Sequence, residues 1–187
     1  MMRMRYSPAC LAAAAPAMLV GVLISLTPDD AHAACTDFAS PGVDWKGCNM
    51  SDQDFVETDL SGARLRNGRF FGADFTGADL SKSDSRGAKF IDATMVNVNF
   101  DEARLVKTDL TKADLTGASL KGADLRRAEL FRAVLRNAVL TGARLQGADL
   151  SAADLSGALW VDGKTTCAEG SIGQCNRQPT VTPKKSS

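Results

Sequence analysis

Histidine and tyrosine are almost missing from this 187-residue chain: His32 and Tyr6 are the only ones, and both precede residue 34. Net charge is missing too, because 22 basic side chains balance 22 acidic ones. The first shortage removes imidazole as base, acid or nucleophile partner from everything beyond residue 33. No nucleophile elbow and no glycine-rich phosphate loop after a strand replaces it. The second removes any global electrostatic reason to bind nucleic acid or an anionic membrane. An enzyme is therefore not expected, and neither is a cofactor or a metal centre.

The first 33 residues read as an export signal. Arg3 and Arg5 make a basic start, residues 9–26 are apolar, and Ala31-His32-Ala33 is a small-x-small cleavage signature before Ala34. The apolar stretch is long enough to raise an uncleaved membrane anchor as the rival reading. Its alanine content and Pro16 make it weakly hydrophobic, which favours cleavage. A lipid on Cys35 is disfavoured, because His32 stands where the usual Leu would be. The expected product begins near Ala34, lies in the periplasm or outside the cell, and has no stable membrane span.

What the chain does have is a period of five. Every fifth position from Trp45 to Trp160 carries a large apolar side chain, with Ser85 as the one exception. Two residues before each, Gln53 apart, sits a small one, always Ala from Ala113 onward. Five matches neither the 3.6 of a helix nor the 2 of a strand. Phase kept over 24 units marks a solenoid, whose units bury their faces only against neighbours.

Cysteine placement fits such a rod. Loss of the signal removes Cys10 and leaves Cys35 and Cys48 before most of the repeats, with Cys167 and Cys175 after all of them. The ends of a rigid rod cannot meet, so the expected pairs are Cys35–Cys48 and Cys167–Cys175. The same separation rules out one four-cysteine zinc centre. Each short loop would stabilise its end by ~2–3 kcal/mol in an oxidising compartment.

The commonest unit is seen in Ala78-Asp79-Leu80-Ser81, Ala113-Asp114-Leu115-Thr116-Gly117 and Ala148-Asp149-Leu150-Ser151. It resembles the unit of the pentapeptide-repeat family, and the resemblance covers residues 43–162. The ends look like those of exported members: Pro41-Gly42-Val43-Asp44-Trp45 with Cys48, and Asp162-Gly163-Lys164-Thr165-Thr166-Cys167. The resemblance implies an all-β fold, a right-handed quadrilateral β-helix with four pentapeptides per coil and about six coils. The chain then divides into a signal peptide (1–33), an N-terminal cap (34–42), the β-helix (43–162), a C-terminal disulfide cap (163–176) and a disordered tail (177–187) broken by prolines.

Physical reasoning points the same way. With Ala and Leu both inward, the next three residues must turn a corner, and glycine is frequent two residues after the Leu, where φ can be positive. Residues twenty apart then stack at ~4.8 Å, so six coils make a rod ~29 Å long. Trp45 and Trp160 fall at the two mouths, where a large ring can cap the core. Ser85 and Ser83 interrupt the first inner ladder. They read either as tolerated small residues or as a bend presenting Asp84 and Arg86.

Only the outer columns are left for function. On the first face, Asp44, Arg64, Asp84, Arg104, Asp124 and Arg144 alternate in sign at one-coil spacing, as a neutralising ladder would. Lys46, Arg66, Arg86, Lys107, Arg126 and Arg127 add positive charge there. The third face carries Asp54, Glu57, Asp74, Asp114 and Asp154 against Arg136 alone. Zero net charge thus conceals two opposed faces, which are either solvated surfaces or a docking stripe for a protein or an acidic polymer. On the second face Phe71, Ile91 and Phe131 share a column and form a candidate apolar contact. Asp54/Asp74 and Asp59/Asp79 lack the ligand spacing of a calcium loop.

The expected function is an exported, non-enzymatic scaffold or protein-interaction module. The family resemblance supplies an alternative, since some members mimic duplex DNA to shield type II topoisomerases. That use needs a strongly negative rod, whereas residues 43–160 hold 17 acidic and 16 basic side chains. Export would also part the protein from a cytoplasmic target.

Overall fold

The computed structural model describes residues 35–177. The signal-peptide and cleavage readings, and the tail reading from residue 178 onward, fall outside these residues. The described chain is a right-handed quadrilateral β-helix of six coils: coil 1 (43–62), coil 2 (63–82), coil 3 (83–102), coil 4 (103–122), coil 5 (123–142) and coil 6 (143–162).

Register is uniform. The residue before each core residue pairs in parallel with the residue twenty further on, from Asp44 with Arg64 to Val139 with Leu159. Around each pairing two bonds form: Leu65 N–H donates to the Asp84 carbonyl at 2.9 Å, and Asp84 N–H donates back to Ala63 at 2.8 Å. At the corner, Ala63 N–H closes a four-residue turn on the Leu60 carbonyl at 3.0 Å. Period five thus alternates one short extended step with one turn, and both inward side chains lie on the step.

Positive φ is the rule at the corners rather than a glycine privilege. It occurs at every fifth residue from Gly42 to Gly157, at eleven glycines and thirteen other residues. None of the thirteen is β-branched, the class for which left-handed backbone is most strained. The frequent Asp before the core residue has a local task. Asp74 Oδ1 accepts both the N–H of Thr76 at 2.9 Å and its hydroxyl at 2.6 Å, and Asp114 with Thr116 and Asp154 with Ser156 repeat the arrangement. This explains the Asp-Leu-Ser/Thr run: the carboxylate satisfies a turn N–H that has no strand partner.

The interior is filled. Trp45, Phe55, Phe70, Phe75, Phe90 and Phe100 form one aromatic column through coils 1–3, with Phe55 on Phe75 at 4.8 Å and Phe70 on Phe90 at 4.9 Å. From Leu105 to Leu155 every core residue is Leu. Ser85 is fully buried and makes no bulge, since the ladder bonds run through it unbroken. Its hydroxyl lies 3.2 Å from that of Ser83, and its carbonyl accepts the Thr108 hydroxyl at 2.9 Å. The small side chain offsets the bulk of Phe90, Met95 and Phe100 in the same coil. This is the tolerated small residue of the two sequence readings.

The ends are closed unequally. Cys35–Cys48 ties the entering chain to coil 1, and buried Trp45 donates its indole N–H to the Asp37 carbonyl at 3.3 Å. At the other end positive φ arrives one residue late, at Gly163, and the chain reverses. It then runs antiparallel over two faces of coil 6, pairing Leu159 with Thr166 and Asp154 with Ile172. Cys167–Cys175 turns it back, and Arg177 pairs with Cys167. Leu145 and Leu150, on the other two faces, remain half-buried, as does Trp160.

Candidate interaction surface

With the interior closed, the chemistry of the coils stands in outer columns. On the first face Arg64 bridges to Asp44 at 3.5 Å and Arg144 to Asp124 at 3.6 Å, one coil apart. Asp84 makes no cross-coil bridge, and Asp124 makes a shorter contact besides its cross-coil one. Each is gripped by the arginine two residues on: Arg86 Nε and Nη2 on Asp84 at 2.7 and 2.6 Å, and Arg126 likewise on Asp124. Those hydrogen bonds hold both carboxyls below the usual range. The ladder is thus present at Asp44–Arg64 and Asp124–Arg144 and interrupted at Asp84. Where an Arg follows the core residue it adds a shorter, local two-point contact, which stands alone at Asp84 and beside the Arg144 bridge at Asp124.

Arg104 is released by this arrangement. Together with Lys46, Arg66, Lys107 and Arg127 it has no ion pair among the described residues. Sequence reasoning overlooked Arg69 and Lys89. They stand on the second face, in the column Asn49, Arg69, Lys89, but lie just around the corner from Arg66 and Arg86. Counting residues twenty apart on that face would have found them. Asp109, Glu129 and Asp149 continue the column with opposite sign, so both sides of this corner are basic only up to coil 3, and in coils 4 and 5 Lys107, Arg126 and Arg127 face carboxylates across it.

The opposite corner, between faces three and four, is acidic at the same height. Asp54, Glu57 and Asp59 of coil 1 and Asp74 and Asp79 of coil 2 have no ion pair among the described residues. Asp59 is held low by the Ser61 N–H and hydroxyl. Farther up, Asp154 is tied to Arg136 at 2.5 Å.

The apolar column is not a continuous patch. Phe71 and Ile91 are half-buried, Thr111 intervenes, and Phe131 stands apart with the Arg132 guanidinium 5.1 Å over its ring. Among the described residues no cluster of His, Cys, Asp and Glu is arranged to hold a metal, and no helix is long and apolar enough to cross a membrane. An open depression at the C-terminal cap is lined by Lys164, Thr165, Thr166 and Arg177. Beside it Asp162 accepts the Thr165 hydroxyl and two backbone N–H groups, which lowers its carboxyl to about 2.

No curated protein matches the chain. Among solved structures it is similar to HetL, a pentapeptide repeat protein involved in heterocyst differentiation regulation from the cyanobacterium Nostoc sp. strain PCC 7120, at 32% identity and a TM-score of 0.45. That match covers 66% of this chain and 64% of HetL, so the chain spans just under two thirds of that structure. A pentapeptide repeat protein from the Arabidopsis thaliana thylakoid lumen matches at 26% identity and a TM-score of 0.37, over 60% of this chain and 68% of that one. QnrB1, a plasmid-mediated fluoroquinolone resistance protein, matches at 21% identity and a TM-score of 0.35, over 61% and 68% of the two chains. The family profile for pentapeptide repeats fits residues 42–70, 69–105, 95–130 and 128–158, nearly the whole of the six coils. The chain belongs to the pentapeptide-repeat family.

Proposed function

We propose that this pentapeptide-repeat protein is an exported, non-enzymatic scaffold or interaction module, acting in the periplasm or outside the cell through its outer faces. One observation carries the reading: side chains fill the coils from Trp45 to Leu155, leaving charged columns as the chemistry the coils offer. Such a surface binds by charge and shape and holds no enclosed site for a substrate. Export rests on the basic start, the apolar stretch and the Ala31-His32-Ala33 signature, and two disulfides suit an oxidising compartment. The DNA-mimic use of the fold gains no support from 17 acidic against 16 basic residues over 43–160.

Fractionation and N-terminal sequencing test the location. A mature chain beginning near Ala34 in the exported fraction is expected, and residues 1–33 retained in the cytoplasm would sink it. Crosslinked capture from that fraction, with Arg66→Glu/Arg126→Glu alongside the wild type, tests the surface. The wild type should hold a protein that the variant loses, and equal capture by both would leave the first face as solvated charge.

A further inference from the structure

The basic ridge and the acidic corner stand on diagonally opposite corners of the same coils. The ridge holds Lys46, Arg66, Arg69, Arg86 and Lys89 along the corner between faces one and two, in coils 1–3. Four of them are exposed, and only Arg86 is engaged by a carboxylate among the described residues. Asp54, Glu57, Asp59, Asp74 and Asp79 line the diagonally opposite corner in coils 1–2, unpaired among the described residues. Both sets rise by the same coil step, ~4.8 Å, because they sit on the same ladder.

The geometry points to a second copy of this chain as the occupant of the ridge, the acidic corner of one rod lying along the basic ridge of the next. This deepens the interaction-module reading and rests on it. Charge complementarity selects the occupant. A partner must present several carboxylates in line at the coil spacing, and this chain presents them at the same height along the rod. Same-side carboxylates of an extended acidic peptide recur only every ~6.6 Å, out of step with the ridge. A net charge of zero leaves no monopole repulsion to oppose close approach. The two patches are different surfaces on opposite sides, so the contact is heterologous and propagates by adding rods side by side rather than closing as a pair.

Sedimentation of the disulfide-intact protein at low and high salt is the test. At ~0.01 M salt the Debye length is ~30 Å and at ~1 M it is ~3 Å, so association should appear in the first and vanish in the second. The expected weight-average mass at low salt is about twice the monomer's or more, growing with concentration. Arg66→Glu/Arg69→Glu/Lys89→Glu should stay monomeric. So should Asp54→Asn/Asp59→Asn/Asp79→Asn, which keeps the side-chain oxygens that cap the corner N–H groups. Mixed one to one, the two variants should form a dimer and stop there, because each retains one intact half. Lys112→Glu/Lys121→Glu/Arg132→Glu makes the same charge change away from the ridge and should associate like the wild type. A monomeric wild type at low salt, no dimer in the mixture, or equal loss in the control variant would overturn self-association. If the wild type is monomeric yet the ridge variant loses a protein captured by the wild type, self-association fails and the interaction-module reading stands.

Discussion

Coils 1–3 and coils 4–6 share one backbone and one register, but they fill it by different means. In coils 4–6 the inner positions repeat Ala and Leu, apart from Thr108 and the terminal Trp160, so each rung between is interchangeable with the next. In coils 1–3 the rungs are Trp, Phe, Leu, Met and Ser, and each depends on its neighbours. Phe70 meets Phe55, Phe75 and Phe90 with ring centroids 4.9–6.5 Å apart. Gly68 replaces the inner Ala because a Cβ there would stand 2.6 Å from Cε2 of Phe70. The lesson is that the ladder specifies side-chain direction, while side-chain volume is settled coil by coil. The ridge and the acidic corner both stand in the aromatic half, while the leucine half keeps Arg104, Lys107 and Arg127 free of ion pairs.

The hardest blow to this difference is Phe70→Ala, which opens a cavity at the centre of interlocked rings and should cost ~3–5 kcal/mol. Leu130→Ala in the uniform half should cost less, near ~2–3 kcal/mol, as flexible leucines above and below close part of the gap. Denaturant midpoints at unchanged slope would measure both, and a larger loss for Leu130→Ala would show that the aromatic column is no more specifically packed.

Gly68→Ala comes next. The added methyl meets a ring held by Phe90 rather than a mobile chain end, so a loss of ~1–3 kcal/mol is expected. Converting the same unit to the packing of the other half, Gly68→Ala with Phe70→Leu, should cost less than the sum of the two single changes. Strict additivity in that cycle would mean the glycine serves some purpose other than making room for the ring.

The frame was open to sequence reasoning because period, phase and inward alternation are each decided within a few residues. Cys35–Cys48 and Cys167–Cys175 followed from it, and both bonds are present. What escaped depends on distances the period does not encode. Asp84 stands between Arg64 and Arg104 in its column, yet takes Arg86 from its own coil. Arg69 and Lys89 belong to one face by column and to another by neighbourhood. Glycine marks eleven corners and gives no hint that thirteen more adopt the same backbone. That choice is imposed by stacking, since each corner must align with the corner above it.

Acid should affect both halves alike. Asp84 in coil 3 and Asp124 in coil 5 have carboxyls lowered mainly by hydrogen bonds from Arg86 and Arg126. A carboxyl lower in the folded than in the unfolded state adds stability that is complete above the unfolded value, near ~3.9, and is lost as pH falls through the folded value. The thermal midpoint should therefore hold from neutrality to mild acid and drop below about pH 4. Asp84→Asn and Asp124→Asn should each flatten that drop by a similar amount. Flattening by one alone would show that the two-point pairs are not equivalent between the halves.

The smallest effect tests the corners, which the two halves have in common. Ala152 has φ of 58°, with no polar side chain to bond locally in compensation. Left-handed backbone costs a residue with a Cβ roughly 1–2 kcal/mol, while a glycine loses roughly 0.5–1 kcal/mol more chain entropy on folding. Ala152→Gly should therefore stabilise the protein by about 0.5 kcal/mol. In coil 3, Asn97→Gly should gain less, because asparagine tolerates this region and Asn97 folds its side-chain oxygen over Gly117 in the next coil. If Asn97→Gly proved the more stabilising, the asparagine would be as strained as alanine, and its cross-coil contact would add nothing to the stack.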